Sequence, residues 1–555
     1  MTKKTIRIPL LLAGLLALLL PCSLSANPPK PRPPAHTPSQ DSAALPYFQQ
    51  ELHYNISVTL DDRQHSLNAF ETIEYKNNSP DSLNFIWFHC WPNAYKDQTT
   101  ALYRQLTRLG KRKDKLKKIK DNGYVDHLDF KIDGITALTQ PHPQYSDILK
   151  VLLPSPLAPG KRMTITTPFF VKIPSYFSRL GHEDQSYMIT QWYPKPAVYD
   201  RKGWHEMPYL DQGEFFSEYG SFDVHITLPS AYTVAATGTL KTGSEKDSYE
   251  ALGRKNLAGD SSGAFLYEAS DPNAAKTLDY HGENIHDFAW FADKNLIIQY
   301  DTLRLPSGKI IDVFSYHRIN GDKQWAHSIS YIKDAVLHYS KWVGEYRYPV
   351  VSAVEGPGNN SSGGMEYPTI TLITSPRAGR EELDGVIAHE VGHNWFYGML
   401  GSNEREHPWM DEGMNTYYEF LYEAEKYRAN TMLGSMIPPE IRKKNTDDFL
   451  NAIYGVFNQL KTIEPIETPA TGFDTEFDYG VVEYAKAAVW MYILKKTLGA
   501  EEFEKGMHTY FSDWVFKHPY PEDLKNSLEK ASGTNLDKAF ELLNKNGPFY
   551  VPGFF

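Results

Sequence analysis

The chain has 555 residues, of which 41% are hydrophobic and 23% are charged, a composition typical of folded proteins. This length exceeds what one hydrophobic core usually supports, so we expect two or three domains. The net charge of −11 argues against general nucleic-acid binding, because such proteins present a basic face to the phosphate backbone.

The N-terminus has the pattern of a secretory signal peptide. Lys3, Lys4 and Arg7 form a basic start, and the apolar run 8–20 is too short for a comfortable membrane span. Small residues at the end of this segment suit cleavage. The sequence therefore predicts a signal peptide over 1–26 and export to the periplasm or the cell envelope.

Two cysteines bear on the exported chain. Cys22 follows Leu-Leu-Pro, which loosely resembles a bacterial lipoprotein signal, although proline before the cysteine fits that signal poorly. Lipidation of Cys22 would tether the chain to a membrane. Cys90, in FIWFHCW, is expected to be a buried core thiol, so we expect no internal disulfide. The proline-rich segment 27–46 is predicted to be an extended linker in either case.

Residues 47–297 carry mainly β signals. Segments such as HYNISVTLDD, LNAFETIEYKNN and SFDVHITLP are rich in β-branched and aromatic residues and are separated by turn residues. We predict an N-terminal antiparallel β domain here. The basic segment 110–121 interrupts it and is interpreted as a solvated insertion or a plain surface charge run.

The pattern changes after residue 297. QWAHSISYIKDAVLHYSKWVG has apolar residues three and four apart, as in an amphipathic helix, and further helices are predicted over 476–499 and 500–545. We therefore predict a multidomain α+β protein. Its second domain, 298–545, would combine a mixed β-sheet with mainly helical structure, and 546–555 would form a tail.

GVIAHEVGHNWFYG is the most informative stretch. His389 and His393 lie four residues apart on a predicted helix, so their rings can converge on one zinc ion. Glu390, between them, could take a proton from a metal-activated water. Glu412, in HPWMDEGMNTYYEF, supplies a third ligand and leaves a fourth position open. Gly392 costs helix stability of about 1 kcal/mol, which a bare backbone beside a crowded metal would explain.

Glu419 follows Glu412 by seven residues and lies near the same helix face. We expect its carboxylate to orient a ligand histidine from behind. The alternative is an ordinary exposed helix acid.

With Glu412 eighteen residues beyond HEVGH, the sequence resembles the gluzincin zinc aminopeptidases of the aminopeptidase N and leukotriene hydrolase type. GGMEYP (363–368) resembles that family's Gly-x-Met-Glu-Asn strand, and YAKAA (484–488) resembles its Tyr-x-Lys-Gly-Ala segment. HDFAWFA (286–292) resembles the closing strand of the family's N-terminal β domain. QWYPKPAVYD (191–200) resembles a segment carried by a bacterial branch of the family. The resemblance covers most of 47–545. It implies a saddle-like β domain followed by a thermolysin-like catalytic domain with one zinc ion.

The resemblance also implies a substrate site. Glu366 would bind the free α-ammonium group of a peptide, and Gln191 would help to hold the same amino end. Gly363, Gly364 and Met365 would hold the substrate main chain in β fashion. Tyr484 would stabilise the tetrahedral oxyanion, with Glu390 as general base. The implied function is hydrolysis of the first peptide bond of peptides with free N-termini.

Two departures from the family pattern affect this site. The residue after Met-Glu is Tyr367 instead of asparagine, which would reshape the first specificity pocket. The large helical C-terminal domain of many relatives has no counterpart before Phe555, so we expect a more open cleft.

Other readings of the sequence stay open. One is an epoxide or ester hydrolase on the same zinc scaffold, and another is a non-catalytic surface-binding relative. The acidic residues before Tyr484 would either favour basic substrates or form a solvated face; they are Asp474, Glu476, Asp478 and Glu483. The sequence does not indicate an oligomeric state.

Overall fold

A computed structural model describes residues 46–109, 121–259, 265–358, 363–375, 378–430, 439–457 and 464–547. Several predictions concern residues outside these ranges. They are the signal peptide with Cys22, the linker up to its last residue, the basic segment except Asp121, and the tail beyond position 547.

The first part of the described chain is rich in β-structure, as predicted. Alternate residues of its first strand point into the core: Leu52, Tyr54, Ile56, Val58 and Leu60 are buried. Cys90 is buried as well. The strands are Glu51–Asp61, Ser66–Lys76, Leu83–His89, Tyr124–Asp126, Lys131–Ile132, Ile135–Thr136, Thr139–Pro141, Ile148–Leu157, Arg162–Lys172, Gly181–Glu183, Ser186–Ile189, Lys195–Pro196, Tyr199–Asp200, Gly203–Trp204, Gly220–Pro229, Thr233–Ala236, Thr239–Leu240, Ala275–Ile285 and Trp290–Asp293.

The largest sheet of this part has nine strands within the described residues. Its pairs are antiparallel, as expected, with one difference. Glu51–Asp61 runs parallel to Gly220–Pro229, from Leu52 opposite Gly220 to Thr59 opposite Thr227. A parallel pair needs a long crossover, and the long stretch of chain between these strands provides it.

The second part contains a mixed five-stranded sheet. In spatial order its strands are Leu296–Arg304, Ile310–Arg318, Val350–Glu355, Ile370–Ile373 and Gly364–Tyr367. The last of these, which we call the GGMEY strand, forms an edge and pairs antiparallel with Ile370–Ile373, with Glu366 opposite Thr371. An edge strand leaves main-chain groups free to pair with another extended chain.

Helices make up most of the remaining second part. The helix predicted around HEVGH spans Arg380–Gly392 and is called the HEVGH helix below. The other α-helices of this part are Ser328–Trp342, Glu412–Tyr427, Pro439–Arg442, Thr446–Phe457, Glu476–Tyr479, Ala487–Leu498, Ala500–Trp514, Pro521–Ser532 and Asp537–Phe540. A π-helix spans Gly480–Lys486, and short 3-10 helices span Lys323–His327, Pro408–Met410, Ala470–Gly472 and Glu541–Asn544.

The arrangement of a β-rich part followed by a mixed sheet and helices confirms the predicted fold class. The first part also contributes helices: Ala101–Arg108, Gly243–Ala258 and a 3-10 helix at Trp91–Tyr95. Among the helices of the described ranges, none has the length and apolar character needed to cross a membrane.

The helix Gly243–Ala258 packs on the sheet of the second part. Asn256 Nδ2 donates to the carbonyl of Ile298 at 2.9 Å, and Lys246 pairs with Asp312 at 3.1 Å. Gly253 makes the closest approach, because a Cβ there would lie 2.5 Å from Tyr300 Cβ. A helix that precedes the predicted domain boundary therefore covers a face of the second sheet.

Gly253→Ala is expected to lower the free energy of unfolding by about 1–3 kcal/mol, because the new methyl group would meet the main chain of Tyr300. Gly243→Ala in the same helix is the matched control, since a Cβ there meets nothing within 4 Å. The control is expected to be neutral or to stabilise the chain by up to about 1 kcal/mol. Equal denaturant midpoints for the two variants would contradict this packing.

Candidate metal centre and catalytic cavity

The predicted metal ligands meet at one point. His389 and His393 lie one turn apart at the end of the HEVGH helix, with their Nε2 atoms 3.1 Å apart. Glu412 begins the helix Glu412–Tyr427. Its Oε2 atom lies 3.4 Å from His389 Nε2 and 3.5 Å from His393 Nε2.

These spacings fit a single zinc ion. Bonds of about 2.0–2.1 Å in a tetrahedron separate neighbouring ligand atoms by about 3.3–3.4 Å. All three side chains are buried, and Glu412 Oε2 has no hydrogen-bond partner within the described ranges. A buried carboxylate oxygen without a partner is costly unless something binds it. The donor set therefore suits a metal ion and leaves one tetrahedral position for another ligand.

Two carboxylates lie within hydrogen-bonding distance of the Nδ1 atoms of the ligand histidines. His389 Nδ1 lies 2.9 Å from Glu419 Oε2, the residue predicted for this role, and His393 Nδ1 lies 2.6 Å from Asp411 Oδ1. Burial alone would lower the pKa of His389, but Glu419 and Glu412 raise this pKa to about 10. The negative field that produces this shift also favours a bound cation.

The sequence motifs did not identify Asp411, although it directly precedes Glu412 in HPWMDEGMNTYYEF. A usable signal was present. Each ligand histidine needs an acceptor for its second ring nitrogen, so two ligand histidines call for two such groups. The acid directly beside a predicted ligand was the nearest candidate.

The structure gives a different reason for a glycine at position 392 than the expected closeness of the main chain to a metal ion. A Cβ there would lie 2.1 Å from Asn415 Oδ1 and 2.4 Å from the Tyr339 hydroxyl, and no metal ligand is among its nearest atoms. Asn415 Nδ2 donates to the His389 carbonyl at 2.7 Å, and the Tyr339 hydroxyl donates to Asn415 Oδ1 at 2.7 Å. The glycine thus lets two neighbouring helices approach the HEVGH helix and fix the main chain of a ligand.

Glu390 lies against the GGMEY strand. A Cβ at Gly364 would be 2.4 Å from both Cδ and Oε1 of Glu390. Glu390 Oε2 is buried and has no hydrogen-bond partner in the part of the chain that the structure describes. Burial raises the pKa of Glu390 to about 7, although His389 and His393 oppose the shift. The carboxyl group is thus confined between a bare main chain and the metal ligands.

Tyr484 reaches the metal centre from the π-helix Gly480–Lys486. Its hydroxyl donates to Glu412 Oε1 at 2.5 Å, and its ring lies 6.0 Å from that of His389. π-Helical turns are rare and are frequently found at functional sites. The phenol therefore lies beside the ligand carboxylate, within the same cavity in which the resemblance predicts it to meet an oxyanion.

The metal ligands open into a cavity of about 1030 Å³. The β-rich part contributes Arg179 and Glu214 to its wall, and the GGMEY strand and the HEVGH helix form two sides. Its lining residues are Arg179, Asp211, Gln212, Glu214, Gly363, Gly364, Met365, Glu366, Gly379, Arg380, Glu381, Glu382, Gly385, Val386, His389, Glu390, His393, Glu412, Glu419, Arg442, Glu476, Tyr479, Gly480 and Tyr484.

Two carboxylates face the cavity next to the metal ligands. Oxygen atoms of Glu214, Glu366 and Glu412 all lie within 4.8 Å of one another. Glu366 Oε1 is buried without a hydrogen-bond partner among the described residues, and burial raises the pKa of this side chain. Glu214 accepts two hydrogen bonds from Arg179 Nη2, at 2.5 and 2.7 Å. No sequence pattern pointed to Glu214, because it lies in a loop far from the motifs.

Gln191 lies near this cavity but does not line it within the described ranges. Its Nε2 donates to Asp287 at 3.3 Å, inside the core of the β-rich part. The contact of Gln191 with an amino end therefore stays a prediction. Glu214 is the residue of the β-rich part that faces the same space as Glu366.

The four acids before Tyr484 do not form one group. Glu476 lines the cavity, and Glu483 is completely buried. The side chain of Asp474 is 92% exposed and lies 3.6 Å from Arg108, and Asp478 accepts a bond from the Thr475 hydroxyl. Of the two sequence interpretations, a solvated face thus describes Asp474, and proximity to the substrate cavity describes Glu476.

Sequence comparison places the second part in a known family. Residues 336–542 match the family described as "Peptidase family M1 domain". The chain is 26% identical to glutamyl aminopeptidase of Rattus norvegicus over 247 residues, which cover 42% of this chain and 25% of that protein. It is 28% identical to a leukotriene A-4 hydrolase homolog of Botryotinia fuckeliana over 222 residues, or 38% and 32% of the two chains. The match thus spans about a quarter to a third of these relatives.

Structural comparison extends the likeness to the β-rich part. An M1 zinc metallopeptidase from Deinococcus radiodurans superposes with a TM-score of 0.58 and 14% identity, covering 91% of this chain and 95% of that one. Legionella pneumophila aminopeptidase A gives 0.61 and 12% identity, covering 91% and 50%. At such identities the likeness concerns the fold. Together with the domain match, it confirms the resemblance noted from HEVGH and GGMEYP: residues 336–542 carry a peptidase family M1 domain.

Proposed function

We propose that this protein is a zinc-dependent aminopeptidase with one zinc ion per chain. The observation that carries the proposal is the position of Glu366. Its carboxyl group lies within 4.8 Å of His393 and faces the cavity from an edge strand, and its buried Oε1 atom has no hydrogen-bond partner among the described residues. A carboxylate so close to the metal ligands leaves room for little more than the first residue of a substrate.

His389, His393 and Glu412 would hold the zinc ion, with Glu419 and Asp411 orienting the two imidazoles. When bound, zinc would act as a Lewis acid on the scissile carbonyl and lower the pKa of the attacking water. Glu390 would accept a proton from that water and pass it to the leaving amine. Its carboxyl group suits this role because one buried oxygen has no partner in the described chain and lies beside the metal ligands.

The chain's own residues would position the substrate. Glu366 would bind the α-ammonium group, and Glu214, held by Arg179, offers a second carboxylate oxygen to the same group. The outer edge of the GGMEY strand would pair with the substrate main chain. Tyr484 could turn its hydroxyl from Glu412 toward the developing oxyanion.

A second candidate is an epoxide or ester hydrolase on the same scaffold. The likeness to a leukotriene A-4 hydrolase homolog favours considering it. Two carboxylates beside the metal favour an amine-bearing substrate instead. Release of anilide from aminoacyl anilides, without turnover of an epoxide, would separate the two, and turnover of neither would favour the non-catalytic alternative.

Export remains part of the proposal. It is supported by the basic and apolar segments within 1–26. Lipidation of Cys22 would add a membrane tether, and peptides with free N-termini are the proposed partners. Mass analysis of the mature N-terminus would test both cleavage and lipidation.

Glu366→Ala is expected to remove the preference for a free amino end. The wild type should cleave a free peptide at least about 100-fold faster than its acetylated form, since a charge-assisted bond is worth about 1.5–3 kcal/mol and two carboxylates contribute. The variant should show a much smaller ratio in kcat/KM. Equal cleavage of both peptides by the wild type would defeat the aminopeptidase assignment.

Gly364→Ala is expected to reduce kcat about 100-fold or more, because the added methyl group would displace the carboxyl group of Glu390. Gly363→Ala is the matched control. Its Cβ would meet no atom closer than 3.6 Å, so activity should stay within a few-fold of the wild type. Metal content and thermal unfolding should be similar for both variants. Full activity of Gly364→Ala would contradict the placement of Glu390.

Asp411→Asn and Glu419→Gln are each expected to weaken zinc affinity by about 10–100-fold, since each side chain fixes the ring of a ligand histidine. Competition with a chromogenic chelator would measure the affinity of the purified variants. Glu440→Gln, at an exposed residue outside the cavity, is the control and should bind zinc like the wild type. Unchanged affinity in both test variants would remove the orienting role.

A further inference from the structure

Besides Arg179, which pairs with Glu214, two arginines line the otherwise acidic cavity. Arg380 and Arg442 line it together with Glu381 and Glu382, on the side that begins the HEVGH helix. No carboxylate of the described chain forms a salt bridge with either guanidinium. Arg442 Nε is buried and has no hydrogen-bond partner in the described ranges. A buried donor of this kind is costly unless a ligand satisfies it.

The two arginines belong to one neighbourhood. Arg380 acts electrostatically on both Tyr331 and Tyr427, which places it beside them. Three residues after Tyr427, the main-chain nitrogen of Asn430 donates to the carbonyl of Arg442 at 2.9 Å. Both arginines thus adjoin the end of the helix Glu412–Tyr427.

Nearby acids do not neutralise them. Asp384, one turn after Arg380, accepts bonds from Tyr422 at 2.7 Å and from Tyr427, and it pairs with Lys426 at 2.5 Å. Glu381 and Glu382 are exposed, and Glu382 accepts a bond from the main-chain nitrogen of Gly379. Arg380 is exposed as well, whereas Arg442 is half-buried, so water screens these two carboxylates more strongly than the guanidinium of Arg442.

The direction of a bound peptide follows from the contacts between strand and helix. Glu366 lies near His393, Gly364 faces Glu390, and a Cβ at Gly363 would lie 3.7 Å from Val386. Moving back along the strand from Glu366 therefore moves back along the HEVGH helix toward Arg380. A peptide with its amino end at Glu366 would extend its later residues in this direction.

The HEVGH helix also indicates how long a peptide must be to reach Arg380 from the metal centre. Nine residues separate Arg380 from His389 along the chain, which corresponds to about 13 Å of helix axis. An extended peptide covers about 3.3 Å per residue, so about four residues would span this distance.

We propose that Arg380 and Arg442 bind the terminal carboxylate of short peptides, about three or four residues long. The proposal rests on the aminopeptidase function argued above and names its substrate class. Arginine forms paired, charge-assisted bonds with a carboxylate, and a substrate held at both ends would be aligned along the GGMEY strand.

A pair of matched tripeptides tests the proposal. Each starts with the residue preferred in an aminoacyl anilide panel and continues with Ala-Ala, one as the free acid and one as the C-terminal amide. The full-length wild type should cleave the acid about tenfold faster in kcat/KM, a modest ratio because two glutamates lie nearby. The preference should fade in peptides of six or more residues.

In Arg442→Gln and in the double variant with Arg380→Gln, the acid-to-amide ratio should fall to about one, and Arg442→Lys should recover part of it. Arg63→Gln, at an exposed turn, is the control and should keep the wild-type ratio. A wild-type ratio near one, or an unchanged ratio in the double variant, would overturn the proposal. So would a parallel loss of anilide and tripeptide hydrolysis, because it would show a structural role.

Failure of the proposed function would look different. The wild type would then hydrolyse neither anilide nor tripeptide, and calorimetric binding of the intact acid and amide would test the arginines alone. Tighter binding of the acid, lost in Arg442→Gln, would still support the carboxylate site. Equal binding of both peptides would reject it.

Discussion

The hydrogen bonds from two buried carboxylates to the ligand histidines are the constraint on which the site depends. Glu419 and Asp411 occupy the Nδ1 atoms, so both Nε2 atoms must face the cavity and Glu412. Because all of these groups are buried, breaking one bond would leave a charge without compensation. The imidazole rings are thereby oriented before any metal arrives.

The course of the GGMEY strand along the HEVGH helix gives the site its direction. One strand residue is opposite a ligand, another is opposite Glu390, and a third is a turn further back. The groups proposed to bind the amino end, to transfer the proton and to contact the remaining substrate therefore follow one another along two rigid elements. The absence of a side chain at Gly364 permits this close spacing.

Short-range patterns predicted much of this protein. The spacing of His389 and His393 follows from helix periodicity, and the β-branched and aromatic residues between turn signals predicted the β-rich part. Features that depend on long-range contacts were not predicted. Glu214 reaches the cavity from a loop, and the parallel pairing of Glu51–Asp61 with Gly220–Pro229 joins distant segments. The reason for Gly392 was also wrong, because helix packing against Tyr339 and Asn415 was not visible in the sequence.

The π-helix Gly480–Lys486 makes the position of Tyr484 depend on chain length as well as on residue identity. A π-turn accommodates one more residue than an α-turn between hydrogen-bonded groups. If the same residues were wound as an α-helix, each step would turn further around the axis, and the phenol would rotate away from its present direction. The ring would then leave Glu412 although every side chain of the centre was retained. In this protein the π-helical winding is thus as necessary for the position of the phenol as the tyrosine itself.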